Sequence, residues 1–162
     1  MKPNRTPLPN THHAQQKTAI RHRVAGIFAR AGKILLVKHR KAGREYYLLP
    51  GGGQEIGESA VEALAREWKE ELSLDVKVGR FLFCGESVPS EPRRTQVFQM
   101  VFHIDAIDGE IKVHHEGALA GYDWVPINAL SEIAFFPDCL PQVMAFCRGE
   151  DFSIYQRYRW LT

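Results

Sequence analysis

Residues 49–74 read LPGGGQEIGESAVEALAREWKEELSL, a glycine-rich turn running straight into an amphipathic segment. Val61, Leu64, Ala65, Trp68 and Leu72 recur at steps of three and four, so the spacing predicts a helix over residues 60–72 with one apolar stripe facing a core. Trp68 lies on that stripe and reads as packing. Ser59, followed three residues later by Glu62, has the form of a capping box and marks the helix start. At roughly 100° per residue, Glu67, Glu70 and Glu71 share one arc beside the stripe. Like charges so spaced weaken a bare helix by about 0.2–0.5 kcal/mol per pair, so helix formation does not account for them.

A hard divalent cation does account for them. Mg²⁺ takes oxygen ligands, keeps several waters and is usually held by one or two carboxylates together with substrate phosphate oxygens. The acids alone would suit a solvated helix face. Combined with the glycine loop and Arg66, they favour a metal site that handles phosphate. Gly51, Gly52, Gly53 and Gly57 let the backbone turn sharply and approach an ion. Arg66 stands four residues before Glu70 and within reach of Glu58, which suits it to holding carboxylates in place rather than touching substrate.

These residues resemble the Nudix hydrolase signature: Gly52, then Glu58, then Arg66-Glu67-Trp68-Lys69-Glu70-Glu71-Leu72-Ser73-Leu74. Ser73 stands where the family has a helix-ending glycine, and a non-glycine residue in a left-handed conformation costs on the order of 1 kcal/mol. The resemblance implies an α/β/α sandwich with a mixed β-sheet, an α/β fold. It implies Glu67, Glu70 and Glu71 as metal ligands with a carbonyl from Gly51, and Glu58 paired with Arg66. The cofactor expected is Mg²⁺, with Mn²⁺ able to substitute. The expected reaction is hydrolysis at phosphorus, the cation neutralising pyrophosphate charge and positioning an attacking water. A general base comes from the helix glutamates or from Glu116, in the loop His114-His115-Glu116-Gly117.

Substrate marks are fewer. Relatives that cleave ADP-ribose carry a proline about fifteen residues after the signature, and Pro89 stands at that distance from Leu74. Arg93 and Arg94 follow it and could pair with phosphate, while Arg44 and Tyr47 precede the glycine loop, where a base or ribose could rest. The leading expectation is hydrolysis of a nucleoside diphosphate linked to another moiety, such as ADP-ribose or a nucleotide sugar. The rivals are a nucleoside triphosphate pyrophosphohydrolase and a nucleotide-binding regulator without catalysis. Retention of all four signature acids argues against the last.

With 162 residues, 44% hydrophobic and 25% charged, the chain has the composition of an ordinary globular enzyme. A net charge of +2 argues for neither nucleic acid nor membrane, leaving a small-molecule nucleotide as the expected partner. Homodimerisation, common among relatives, is a matter for solution sizing. Cys84, Cys139 and Cys147 are odd in number and widely spaced, which suits a reducing cytoplasm rather than a disulfide framework. No apolar run approaches the ~20 residues that span a bilayer.

Residues 1–18 read as a loose polar tail containing Pro3, Pro7, Pro9, His12 and His13, followed by one domain over 19–162. Strands are predicted over 24–29, 33–38, 46–49, 76–84, 96–107, 110–113 and 122–125. Asp108-Gly109 is expected to form a two-residue hairpin between the fifth and sixth of these. Helices are predicted over 128–133 and 138–148, the second with Asp138 as N-cap and Gly149 as stop. The segment 152–160 alternates aromatic and polar residues and reads as a half-buried strand.

Overall fold

The computed structural model describes residues 20–90, 95–115 and 117–158. In chain order these form β1 (Arg21–Ile27), β2 (Ala29–Arg30), β3 (Lys33–Lys41), β4 (Arg44–Leu48), α1 (Ala60–Leu72), β5 (Asp75–Ser87), β6 (Val97–Asp108) and β7 (Leu119–Pro126). A 3₁₀ helix (Ile127–Glu132), α2 (Leu140–Arg148) and β8 (Tyr155–Tyr158) complete the order. The tail residues, Arg93, Arg94, Glu116 and the end of the chain from residue 159 lie outside the described residues.

One sheet has the order β1-β6-β5-β8 and is mixed: β1 runs parallel to β6, β5 antiparallel to β6, and β8 parallel to β5. A second sheet is antiparallel, with β3 pairing β2, β4 and β7. The expected mixed sheet is therefore present and is joined by an antiparallel companion.

Burial on both faces explains the unbroken apolar runs of β1 and β3. Ala25, Ile27, Ile34 and Leu36 enter a core shared with Phe83, Val101, Leu130 and Val143. Their neighbours Val24, Leu35 and Val37 point the other way, into a core made with Leu64, Trp68 and Leu72 of α1. Alternate residues of single strands thus bind both helix layers, giving the α/β/α sandwich.

The helix α1 has the predicted bounds, and its capping box is complete: Glu62 N–H donates to Ser59 Oγ and Ser59 N–H donates to the Glu62 carboxylate. Ser73 closes it in the left-handed conformation, with φ 61°. Val61 is 46% exposed, because helical side chains lean toward the N-terminus and a first-turn residue projects beyond the packed part of the helix. Trp68 packs on β1 at Gly26, where an added Cβ would stand 2.8 Å from Ile104 Cγ1 and 3.0 Å from Trp68 Nε1.

Val61 thus leaves the core-facing stripe expected of it, and three further sequence expectations require correction. No strand covers 110–113: Lys112 N–H donates to Leu72 O at 3.0 Å and His114 N–H to Glu71 O at 3.2 Å. The segment's amides cap the carbonyl end of α1, where four C=O groups lack helical partners, so they do not form a hairpin ladder with β6. The N-cap of α2 is Cys139 rather than Asp138. With Pro141 at a position that donates no N–H, the chain enters the helix one residue later than predicted. The helix predicted over 128–133 is a 3₁₀ helix.

Candidate active site

Antiparallel backbone pairing lays the glycine loop along β1. Gly26 N–H donates to Pro50 O at 3.0 Å, Val24 N–H to Gly52 O at 2.9 Å, and Gln54 N–H to His22 O at 3.1 Å. Two loop positions require glycine. Gly51 adopts φ 139°, and a Cβ there would lie 2.2 Å from Val24 O. At Gly52 the conflict is with function: a Cβ would lie 2.2 Å from the Glu67 carboxyl carbon. The loop can therefore press against the acid face of α1 only while it is bare.

On that face Arg66 gathers the acids. Its Nε donates to Glu58 Oε2 at 3.0 Å and its Nη2 to Glu58 Oε1 at 2.6 Å. The same Nη2 donates to Gly53 O at 2.9 Å, and Nη1 lies 3.1 Å from both Glu67 Oε1 and Glu70 Oε2. One guanidinium thus ties the loop and three acids together. The Arg66 bonds, aided by the Glu55 N–H, hold the Glu58 carboxyl below its usual range.

Glu71 has a different environment. Its Oε2 accepts the Gly51 N–H at 3.1 Å. Burial pushes its proton affinity up to about 7, with Glu67 and Glu70 adding to the rise and the Gly51 N–H and Arg23 opposing it. Among the described residues, no three acid, histidine or cysteine side chains have closed to ion-holding distances. The donor set of carboxylates beside a bare glycine loop is nonetheless the hard-oxygen set that Mg²⁺ prefers.

Beside the loop opens a cavity of about 310 Å³. Leu48, Val97, Phe136 and Pro137 provide apolar walls, while Arg21, Arg23, His39, Ser87 and Gln99 supply polar groups. His39 Nε2 is buried and has no hydrogen-bond partner among the described residues. Burial, with a smaller push from Arg23, lowers the His39 pKa, which favours the neutral imidazole.

The chain and its fold have known counterparts. A family model for the NUDIX domain matches residues 20–145. The chain belongs to the NUDIX family. It is 37% identical over 113 residues to the ADP-ribose pyrophosphatase of Methanocaldococcus jannaschii, a match covering 69% of this chain and 65% of that protein. It is 29% identical over 125 residues to the CTP pyrophosphohydrolase of Escherichia coli, covering 76% of this chain and 88% of that one. The fold matches that of the MutT NUDIX hydrolase from Burkholderia pseudomallei with TM-score 0.67 and 21% identity, over 78% of this chain and 96% of that one.

In the candidate site the structure brings Gly51, Gly52, Glu58, Arg66, Glu67, Glu70 and Glu71 together. Arg44 and Tyr47 stand apart from the cavity lining. Arg44 is exposed at the start of β4, and Tyr47 Oη donates to Asp123 Oδ2 at 2.7 Å beside Lys38. His114 lies 2.7 Å from Ser73 Oγ at the end of α1. Pro89 follows β5 two residues beyond Ser87, which lines the cavity. Sequence reasoning missed Arg23, His39 and Gln99. The only local mark of Arg23 was a charged residue directly ahead of the buried run 24–27.

Proposed function

We propose that this NUDIX protein is a divalent-cation-dependent pyrophosphohydrolase that cleaves a nucleoside diphosphate linked to another moiety, ADP-ribose among them. The observation that carries this reading is the Arg66 clamp, which holds Glu58, Glu67 and Glu70 against the glycine loop while Glu71 takes the Gly51 N–H. Glu67, Glu70 and Glu71 are the groups that would hold Mg²⁺ or Mn²⁺; the Gly51 carbonyl, expected to join them, already accepts Arg23 Nη1 at 2.7 Å. When bound, such a cation supplies charge neutralisation at phosphate oxygens and a more acidic water.

The chain's own residues do the rest. Arg66 keeps the acids in register, and the bare glycine loop lets the diphosphate approach the carboxylate face. The apolar walls formed by Leu48, Val97, Phe136 and Pro137 suit the planar base of a nucleotide, and the polar groups suit its edge. The base that takes the water's proton is drawn from Glu67, Glu70, Glu71 or Glu116. The 37% identity over 113 residues to an ADP-ribose pyrophosphatase supports the diphosphate substrate.

A second reading rests on the similarity to a CTP pyrophosphohydrolase: cleavage of a nucleoside triphosphate to monophosphate and pyrophosphate. Product analysis by ³¹P NMR with Mg²⁺ separates the two. ADP-ribose should yield AMP and ribose 5-phosphate. Release of pyrophosphate from triphosphates, with ADP-ribose untouched, would establish the second reading, and a panel of both classes returned intact would remove both.

A further inference from the structure

Within the segment 49–52 the carbonyls divide by parity. Those of Pro50 and Gly52 are taken by the backbone of β1, from Gly26 N–H and Val24 N–H. Those of Leu49 and Gly51 receive no such partner. Both are taken by one side chain: Arg23 Nη2 donates to Leu49 O at 2.9 Å and Nη1 to Gly51 O at 2.7 Å. A third bond aims the guanidinium, with Nε donating to Gln99 Oε1 at 3.1 Å across from β6. On its other side Gly51 donates its N–H to Glu71 at 3.1 Å. Arg23 therefore sits between the cavity it lines and the residue that grips Glu71.

We propose that Arg23 is a positioning residue: by clamping the Leu49 and Gly51 carbonyls it fixes the peptide planes on either side of the Pro50–Gly51 peptide, whose own carbonyl is held by Gly26 N–H, and so helps to set the direction of the Gly51 N–H and the place of the Glu71 carboxylate. This rests on the reading of Glu71 as part of the hydrolytic centre. A planar fork is required, because three N–H groups must meet three acceptors in fixed directions. A lysine keeps the charge but presents a single compact head that cannot bridge Leu49 O, Gly51 O and Gln99 at once. Fixing the loop matters because Gly51 occupies a backbone region open to glycine, where no Cβ restricts its torsions.

The test uses the full-length protein and Arg23→Lys, with Arg23→Met as the harsher variant that leaves two carbonyls unpaired. In ¹⁵N-labelled, metal-free protein the Gly51 amide proton, hydrogen-bonded to a carboxylate, should resonate downfield. It should move upfield in Arg23→Lys to about where it falls in Glu71→Gln. In steady-state kinetics with Mg²⁺, kcat should drop about 10- to 100-fold, the usual effect of removing a group that orients a metal-site carboxylate. KM should stay within about threefold, because the loss is in the reacting geometry and not in substrate affinity.

A folded Arg23→Lys with wild-type kcat and an unmoved Gly51 resonance overturns the proposal. So does a raised KM with unchanged kcat, which would make Arg23 a substrate contact. A fall in kcat with the Gly51 resonance unmoved removes the route through that amide. If the wild type cleaves none of the diphosphates or triphosphates offered, the functional reading fails by itself, while the Gly51 resonance still decides whether Arg23 sets the loop.

Discussion

Glu58 and Arg66, eight residues apart, form a two-pronged ion pair in which Nε meets Oε2 at 3.0 Å and Nη2 meets Oε1 at 2.6 Å. The pair joins the loop ahead of α1 to the second turn of the helix, and Arg66 passes the constraint on to Glu67 and Glu70. A lysine could keep one contact but not both prongs. Arg66→Lys is therefore expected to lower kcat about 10- to 100-fold while shifting the melting temperature little. Glu58→Gln should have a smaller effect in the same direction. Steady-state kinetics beside a thermal melt measure both, and full activity in Arg66→Lys would remove the clamp from the mechanism.

The two glycines of the loop should fail in different ways. At Gly52 an added Cβ meets the far end of the Glu67 side chain, which can swing aside, so Gly52→Ala should keep its melting temperature within about 3 °C yet lose roughly tenfold or more in kcat. At Gly51 it meets the Val24 carbonyl in the backbone of β1, which cannot move cheaply. Gly51→Ala should lose stability and activity together, by about 2 kcal/mol or more in denaturant unfolding.

Glu71 should leave a pH signature on stability in the absence of cations. Its proton affinity rises from 4.5 to about 7 on folding, burial being the main cause. Below pH 4.5 both states are protonated and the contribution is fully present. From there to about 7 the native state keeps a proton that the unfolded chain has released, so stability falls as pH rises and the contribution is gone above 7. Glu71→Gln should remove this slope, gaining on the order of 2 kcal/mol over wild type between pH 5 and 8 in urea titrations with chelator. Identical slopes for the two proteins would place the Glu71 carboxylate in water. In the proposed site cation and proton would compete for the same oxygens, so the Mg²⁺ needed for half-activation should rise as pH falls below about 7.

Ser73 ends α1 in a conformation suited to glycine, with φ 61°, but its hydroxyl lies 2.7 Å from His114 Nε2. Ser73→Ala loses that contact and keeps the backbone cost, whereas Ser73→Gly loses the contact and relieves the cost. The glycine variant should be more stable than the alanine variant by about 1 kcal/mol. Equal melting temperatures would mean that the left-handed cap carries no strain.

Much of the site could be read from the chain because it is local. The helix start, the capping box and the reach of Arg66 to Glu58 and Glu70 follow from spacings within one segment, while the left-handed position of Ser73 was implied by the family resemblance. Local signals failed where a distant partner competed. Asp108-Gly109 carries a hairpin dipeptide, yet the chain beyond it gives its amides to the carbonyl end of α1. Asp138 is a good capping residue, but Pro141 leaves the helix to begin after Cys139.

The acids of α1 and their arginine were determined by sequence alone, since 3.6 residues per turn dictates which side chains share a face. What those acids confront was decided only by tertiary structure. Arg23 reaches Leu49, Gly51 and Gln99 across 26, 28 and 76 residues. The cavity is bounded by parts of β1, β3, β4, β5 and β6 together with the segment before α2. Contacts of that span leave no periodicity in a sequence, because sheet pairing sets them, and it brings together segments that no local pattern links.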